Sequence, residues 1–442
     1  MIRIGAVAVA LALLMSAPAA AQPDPAAVFV AWARDHAVPL PACDDPSMAA
    51  VGRAAGAARM IALGEPAHGA HEPLAFRNCL FRHLVEHQGF TAIAIESGTG
   101  EARRLHDYVA GGPGDARQLV RESLSWGFGR FAENVALVEW MRAYNADPAH
   151  GRKIAFYGID MSGGDSSGAW ANARITLDVA LAYLVRFDAT ASRAARAAVE
   201  PFLGRFTQPG HAALDRTERR RLRAAVDGLA RYLDRHGDRL AALSGREELD
   251  WARRNAVLAR QLDHMFRTSA PSGEELSPED YRADAARDAA MADNARWVLD
   301  REGPGGRVLL FAHDGHVMNA ATRGGIWSVY RRAPKAMGQH LRAALGDRLF
   351  IVPIASGSNG PGLPPAAPGA GSLDAALARV GRERFLLDLR PARTVAPVVG
   401  WLRRTQSIRA NHVTEAEISP ATAMDAVVFI ATLTAAEGSK AR

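Results

Sequence analysis

At 442 residues, with 48% hydrophobic and 23% charged positions, the chain can bury a large core and suits one big domain or two moderate ones. The net charge of +6 does not mark a nucleic-acid binder. Apart from Lys153, Lys335 and Lys440 the basic residues are arginines interspersed with Asp and Glu, and no aromatic-interleaved basic groove appears; the N-terminal apolar stretch is too short for a membrane span and no later segment has about 18 uninterrupted apolar residues, so neither nucleic acid nor membrane is expected as a partner.

The first element is an export signal. Met1–Arg3 is basic, Ile4–Met15 is apolar, and Ser16–Ala21 ends in Ala-Ala-Ala before Gln22. This predicts a secretory signal over residues 1–21 and a mature protein that is periplasmic or secreted. In such an oxidising compartment the cysteines Cys43 and Cys79 either form a disulfide or are two unrelated buried thiols. A bridge would pin the N-terminal segment against the helix that carries Cys79.

Met60–Leu63 reads as a buried strand that stops at Gly64, and Glu72–Glu86 fits an amphipathic helix. Glu65 and His68 therefore occupy a strand-to-helix loop at the carboxyl edge of a sheet, where open α/β folds bind ligands. A second strand, Thr91–Ile95, precedes Glu96, and a third, Ile154–Tyr157, precedes Asp160. From about Ala169 to Arg301 strand-like runs vanish. Residues recur there at helical spacing, with breaks near Gln208–Gly210 and Ser269–Gly273, and predict an inserted subdomain of four or five helices. Val308–Phe311 resumes the strand pattern and precedes His313 and His316. A fifth strand, Leu349–Pro353, is followed by a weaker polar place at Ser356–Asn359 and by Gly357–Gly371, read as a long flexible loop at the site's rim. Phe385–Leu387 and Ala426–Ile430 complete the strands.

This alternation predicts an α/β architecture: a mainly parallel sheet core flanked by helices, with an inserted helical subdomain. The core occupies residues 22–168 and 302–442, and the insert 169–301. In a parallel sheet all strand ends share one edge, so Glu65, His68, Glu96, Asp160, His313 and His316 are expected to converge. Histidines and carboxylates on one edge suit hydrolytic acid–base chemistry. No G-x-S-x-G elbow is present, and Ser97 and Ser162 follow strands without that turn, which favours direct attack by water.

Two other readings compete. His68-x-x-His71 and His313-x-x-His316 could supply four imidazoles to a metal-dependent hydrolase, and His83-x-x-x-His87 is metal-like on a helix. Neither H-E-x-x-H nor H-x-x-E-H occurs. A non-catalytic protein binding a small ligand or haem through its paired histidines is the second.

Taken together, Gly64–Glu72 (GEPAHGAHE), Arg77, IAIESG with Glu96, YGID with Asp160, RDAAMADN (Arg287–Asn294) and FAHDGHV with His313 and His316 resemble the erythromycin esterase family. The resemblance spans roughly Val51 to Leu433. It implies a cofactor-free hydrolase of esters or lactones, with His68 as general base on water. It also implies catalytic roles for Glu65, Arg77, Glu96, His313 and His316, and substrate binding by Asp160, Arg287 and Asn294. A small-molecule substrate, and antibiotic resistance through macrolide hydrolysis, belong to the same expectation. The chain departs from the pattern at His71, which is not a family position, and in FAHDGH, where Trp-Ala-His-Asn is commoner.

Overall fold

The computed structural model describes residues 24–40, 43, 45–165, 170–269, 281–411 and 414–438. The signal expected over Met1–Ala21, and Gly273 in the second expected helix break, lie outside the described residues. Eleven strands form among the described ones: β1 (Val38–Pro39), β2 (Met60–Glu65), β3 (Ala92–Gly98), β4 (Ala155–Asp160), β5 (Val308–His313), β6 (Leu349–Val352), β7 (Ile354–Asn359), β8 (Arg384–Asp388), β9 (Gln406–Asn411), β10 (Thr414–Ile418) and β11 (Ala426–Leu433). Each apolar run read as a strand is one.

A five-stranded sheet in the order β4-β3-β5-β2-β6 is parallel throughout. Side chains alternate across it with the period of two that extended backbone imposes. Ile61, Leu63, Ile93, Ile95, Leu309 and Phe311 pack with Leu80, Phe81 and Leu84 of the helix His71–Gln88 in one core cluster. Met60, Ala62, Ala92, Ala94 and Leu310 pack with Met291 and Val298 of the helix Tyr281–Arg301 in another. Burial on both faces is why these strands read as continuous apolar runs.

From β6 the chain passes through Pro353 into β7, which belongs to a four-stranded sheet of order β1-β8-β11-β7. There only β7 and β11 are parallel. β9 and β10 form an antiparallel hairpin. Ser356–Asn359 therefore lies inside β7 instead of following a strand, and the irregular segment starts at Gly360. Four strands had no apolar run to betray them: β1 has two residues, β7 ends in Ser-Gly-Ser-Asn, and the hairpin strands carry charged side chains such as Arg409 and Glu415.

Between β4 and β5 the described residues form helices, the longest being Arg216–Arg235, Arg246–Thr268 and Tyr281–Arg301. Leu177, Leu229, Leu262 and Ala290 share a third core cluster there. The expected break near Gln208 is itself a short helix, Gln208–Ala212, begun by Thr207, whose hydroxyl accepts the Gly210 N–H. Cys43 and Cys79 are joined in a disulfide, with Cα atoms 5.1 Å apart, which ties the N-terminal segment to the helix His71–Gln88.

Candidate active site

The end of β2 delivers the first pair. Parallel register sets Glu65 beside His313 of β5. The strand can end so tightly because Gly64 has no side chain: a Cβ there would lie 1.7 Å from Asp314 Oδ1. Glu65 is buried, and the turn after it brings His68 back so that Nδ1 donates to Glu65 Oε1. A carboxylate on Nδ1 fixes the tautomer of the neutral ring and leaves the lone pair on Nε2. The His68 ring is partly exposed; its centroid lies 4.5 Å from that of His313 and 4.9 Å from that of Phe128. Burial pulls the His68 pKa down, but the Glu65 charge and hydrogen bond outweigh it, so the pKa ends above the ordinary value.

A larger network is assembled from four elements. The register of β3 against β4 slips between Ile95 and Gly98, an irregularity of the kind that re-aims side chains. Glu96 Oε2 accepts the backbone N–H of His313 at 2.8 Å, and Oε1 accepts from Arg287 Nη2 at 2.9 Å. The same Nη2 donates to Asp160 Oδ2 at 2.7 Å, and Trp126 Nε1–H reaches that oxygen at 3.0 Å. His316 donates from Nδ1 to Asp288 Oδ1 at 2.8 Å, and its Nε2 lies 3.5 Å from Glu96 Oε1. Asp284, Arg287 and Asp288 sit on one face of the helix Tyr281–Arg301 by their i, i+3, i+4 spacing.

Charge in this network is compensated. Burial lowers the His316 pKa, but Asp288 and Glu96 more than reverse that and raise it to about 9, so the ring is a cation at neutral pH. Burial pushes Glu96 up, but His316, His68 and Arg287 hold it well below the usual carboxylate range. Asp160 and Glu96 likewise raise Arg287 against its own burial.

Of the residues expected at the site, Glu65, His68, Glu96, Asp160, Arg287, His313 and His316 come together. Arg77 lies beneath them. It is 1% exposed, donates to Asn78 Oδ1 (2.8 Å) and Asn134 Oδ1 (2.9 Å), and stacks over Phe311. A small cavity bounded by Glu65, Arg77, Glu96, Phe128 and Asn134 separates the two layers. Burial lowers the Arg77 pKa to about 10, with Glu65 and Glu133 opposing the shift, so the group stays charged. The partner of Glu96 is thus Arg287, and Arg77 is held by Asn78 and Asn134.

Asn294 lies apart from that group. Expected to bind substrate, it is fully buried, donates to the Ile159 carbonyl (2.9 Å) and accepts from Arg254 (2.9 Å), so it pins its helix to β4. Asp160 is also fully buried and meets the site through Arg287. Asp314, at the departure FAHDGH, is buried, accepts the Ile354 N–H (3.1 Å), and is pushed by burial well above the usual carboxylate range.

His71 turns to Glu133 (2.6 Å) instead of joining His313 and His316. The described residues bring no group of three or more His, Cys, Asp or Glu into a metal-holding arrangement. Ser97 and Ser162 are buried acceptors of the Ser125 and Gly100 amides, both at 2.8 Å. Sequence reasoning passed over Asp288, although it stands next to Arg287 in a quoted motif. It also passed over Trp126, whose φ of 61° no sequence signal announces.

A family model described as erythromycin esterase matches residues 85–433. That match begins after Glu65, His68 and Arg77. Two curated relatives from Escherichia coli align over short stretches. Erythromycin esterase type I is 34% identical over 104 residues, 24% of either chain, and type II is 28% identical over 144 residues, 30% of this chain and 32% of the relative. The chain thus spans about a quarter to a third of the curated relatives it matches.

Among solved structures, a Bacillus cereus protein superposes with a TM-score of 0.76 at 22% identity, covering 94% of this chain and 99% of its own. A succinoglycan biosynthesis protein gives 0.74 at 20%, covering 93% and 98%. An erythromycin esterase mutant in its open conformation gives 0.66 at 19%, covering 88% and 94%. At these identities the likeness is one of fold.

Proposed function

The chain belongs to the erythromycin esterase family, and from that premise we propose that it is an exported hydrolase that cleaves a carboxylic ester or lactone by attack of water, with His68 as general base. Family membership points to a hydrolase. The observation that carries the finer reading is the bond from His68 Nδ1 to the buried Glu65, which poises the other ring nitrogen to take a proton.

In the proposed reaction His68 Nε2 removes a proton from water as the oxygen adds to the carbonyl carbon. Glu65 supports the imidazolium that forms. The oxyanion is stabilised by the cationic His316, held by Asp288 and Glu96; such stabilisation is commonly worth several kcal/mol. As the tetrahedral species collapses, the carbon–oxygen bond to the alcohol breaks and His68 returns its proton to the departing alkoxide. Arg287 holds Glu96 and Asp160 in place. Export rests on the Met1–Ala21 pattern.

The test is a hydrolysis screen of the mature protein against aryl esters, simple lactones and macrolides, repeated with a chelator series. Turnover that survives chelation and is lost in His68→Ala is the expected result. Turnover restored only by added metal, or no turnover of any ester beside a haem absorption band, would overturn the reading. N-terminal sequencing of protein from the native cell should begin at Gln22.

A further inference from the structure

Asp314 joins three strand ends in one contact. It follows His313 at the end of β5 and opens the short helix Asp314–Val317, which packs against β2, β5, β9 and the helix Met337–Leu345. Its Oδ1 lies so close to Gly64 of β2 that a Cβ there would come within 1.7 Å of it, and it accepts the Ile354 N–H that begins β7 at 3.1 Å. Pro353 Cα is 3.0 Å from the same Cβ position. One carboxyl oxygen thus meets the residue before Glu65 and the start of β7, from the residue after His313.

This carboxyl has no counter-charge. The residue is fully buried, and Oδ2 makes no hydrogen bond among the described residues. The charges that act on it are those of Asp374 and Glu65, both negative. The cations on its own helix and on the elements packed against it are engaged elsewhere: His316 with Asp288, Arg409 of β9 with Ser356 and Asn359, and Arg342 of the helix Met337–Leu345 with Asp425. His313 and His340 complete the titratable groups there, and neither forms an ion pair with it among the described residues. A carboxyl with one donor and two like charges nearby escapes the cost of burial by keeping its proton. Burial accordingly lifts its pKa well above 3.8; the Ile354 N–H opposes the rise, and Asp374 and Glu65 add to it.

Resting on the hydrolase reading for its effect on turnover, we propose that Asp314 is a positioning residue of the candidate active site. As a neutral acid it clamps the end of β2 that carries Glu65 to the end of β5 that carries His313, and both to the start of β7. Ionisation sets a second negative charge near Glu65 inside the core and loosens the clamp.

The experiment compares the full mature wild type with Asp314→Asn, whose amide keeps the Ile354 bond and cannot ionise, and with Asp314→Ala. At neutral pH the infrared difference between wild type and Asp314→Asn should show the carbonyl band of a protonated carboxyl; carboxylate bands in its place would overturn the proposal. Urea unfolding gives a second reading. The unfolded chain releases this proton near 3.8 and the folded chain only at higher pH, so wild type loses stability as pH rises through that window. Asp314→Asn should match wild type at the acid end and exceed it by a margin that widens with pH; a margin independent of pH would overturn the neutral acid. On p-nitrophenyl acetate at neutral pH, Asp314→Asn should keep kcat, while Asp314→Ala should lower it by about tenfold to 100-fold, as small misplacements do. Equal kcat in all three, or equal losses in both variants, would remove the positioning role. If Asp314→Ala does not fold, the comparison of wild type with Asp314→Asn still decides. No ester turnover by wild type would sink the hydrolase reading alone, and the infrared and urea results would decide the clamp.

Discussion

The two halves of the candidate active site are built in opposite ways. Glu65 and His68 are three residues apart in one loop, and their pairing needs only the end of β2 and the turn after it. The Glu96–Asp160–Arg287–Asp288–His316 network draws on β3, β4, the helix Tyr281–Arg301 and the helix Asp314–Val317. The local pair has a partly exposed imidazole and one carboxylate. The assembled network has three carboxylates against two cations, all mostly buried. A proton acceptor must reach water and exchange its proton, so it can be local and half-open. A fixed cation must be desolvated to act strongly, and desolvated charges need partners on every side.

This comparison can be broken at its most expensive point. Arg287→Met leaves Glu96 and Asp160 buried without their cation, and should cost about 3–5 kcal/mol of stability along with activity. Urea unfolding at neutral pH measures it; a loss under about 1 kcal/mol would mean the network is not charge-compensated as described.

His68→Ala should do the reverse. Turnover should fall by at least about 100-fold, the low end for a positioned general base, while stability falls by less than for Arg287→Met, because the partly exposed His68 is the partner of one carboxylate and Arg287 of two. Parallel loss of fold and activity would erase the distinction between the two halves.

The pH profile separates the halves next. In the proposed reaction activity needs neutral His68, whose raised pKa places the acidic limb above 6.5, and charged His316, which puts an alkaline limb near 9. Because His316 titrates higher in the folded protein than in the unfolded chain, its stabilising contribution is full below 6.5 and is lost as pH rises through about 9. Asp288→Asn should move the alkaline limb down and leave the acidic limb in place. If both limbs move, the halves are electrostatically one unit.

Glu65→Gln should have the mildest effect. Its amide oxygen still accepts the Nδ1–H bond, so the kcat loss should be smaller than for His68→Ala, and the acidic limb should fall as the charge disappears. An unmoved limb would show that Glu65 orients His68 without tuning it.

How much was legible follows the same division. Continuous apolar runs bounded by Gly or polar residues identify the buried strands, since a strand covered on both faces must be apolar at every position. Glu65 and His68 could be paired from spacing alone. The hairpin β9–β10 and the polar end of β7 were invisible, because strands with an open face or polar contacts carry no such run. Asn294 looked like a site residue within its motif and is a buried tether, since a motif does not say which way a helix turns.

By itself, then, the sequence determined the α/β class, the edge where polar groups gather, and the local Glu65–His68 pair, because each depends on neighbours in the chain or on a simple periodicity. Only the tertiary structure decided that Glu96 meets Arg287 and not Arg77, and that Asp288 keeps His316 charged. Those relations join residues far apart in the chain, and they arise when helices pack onto the sheet at angles and registers that local patterns do not encode.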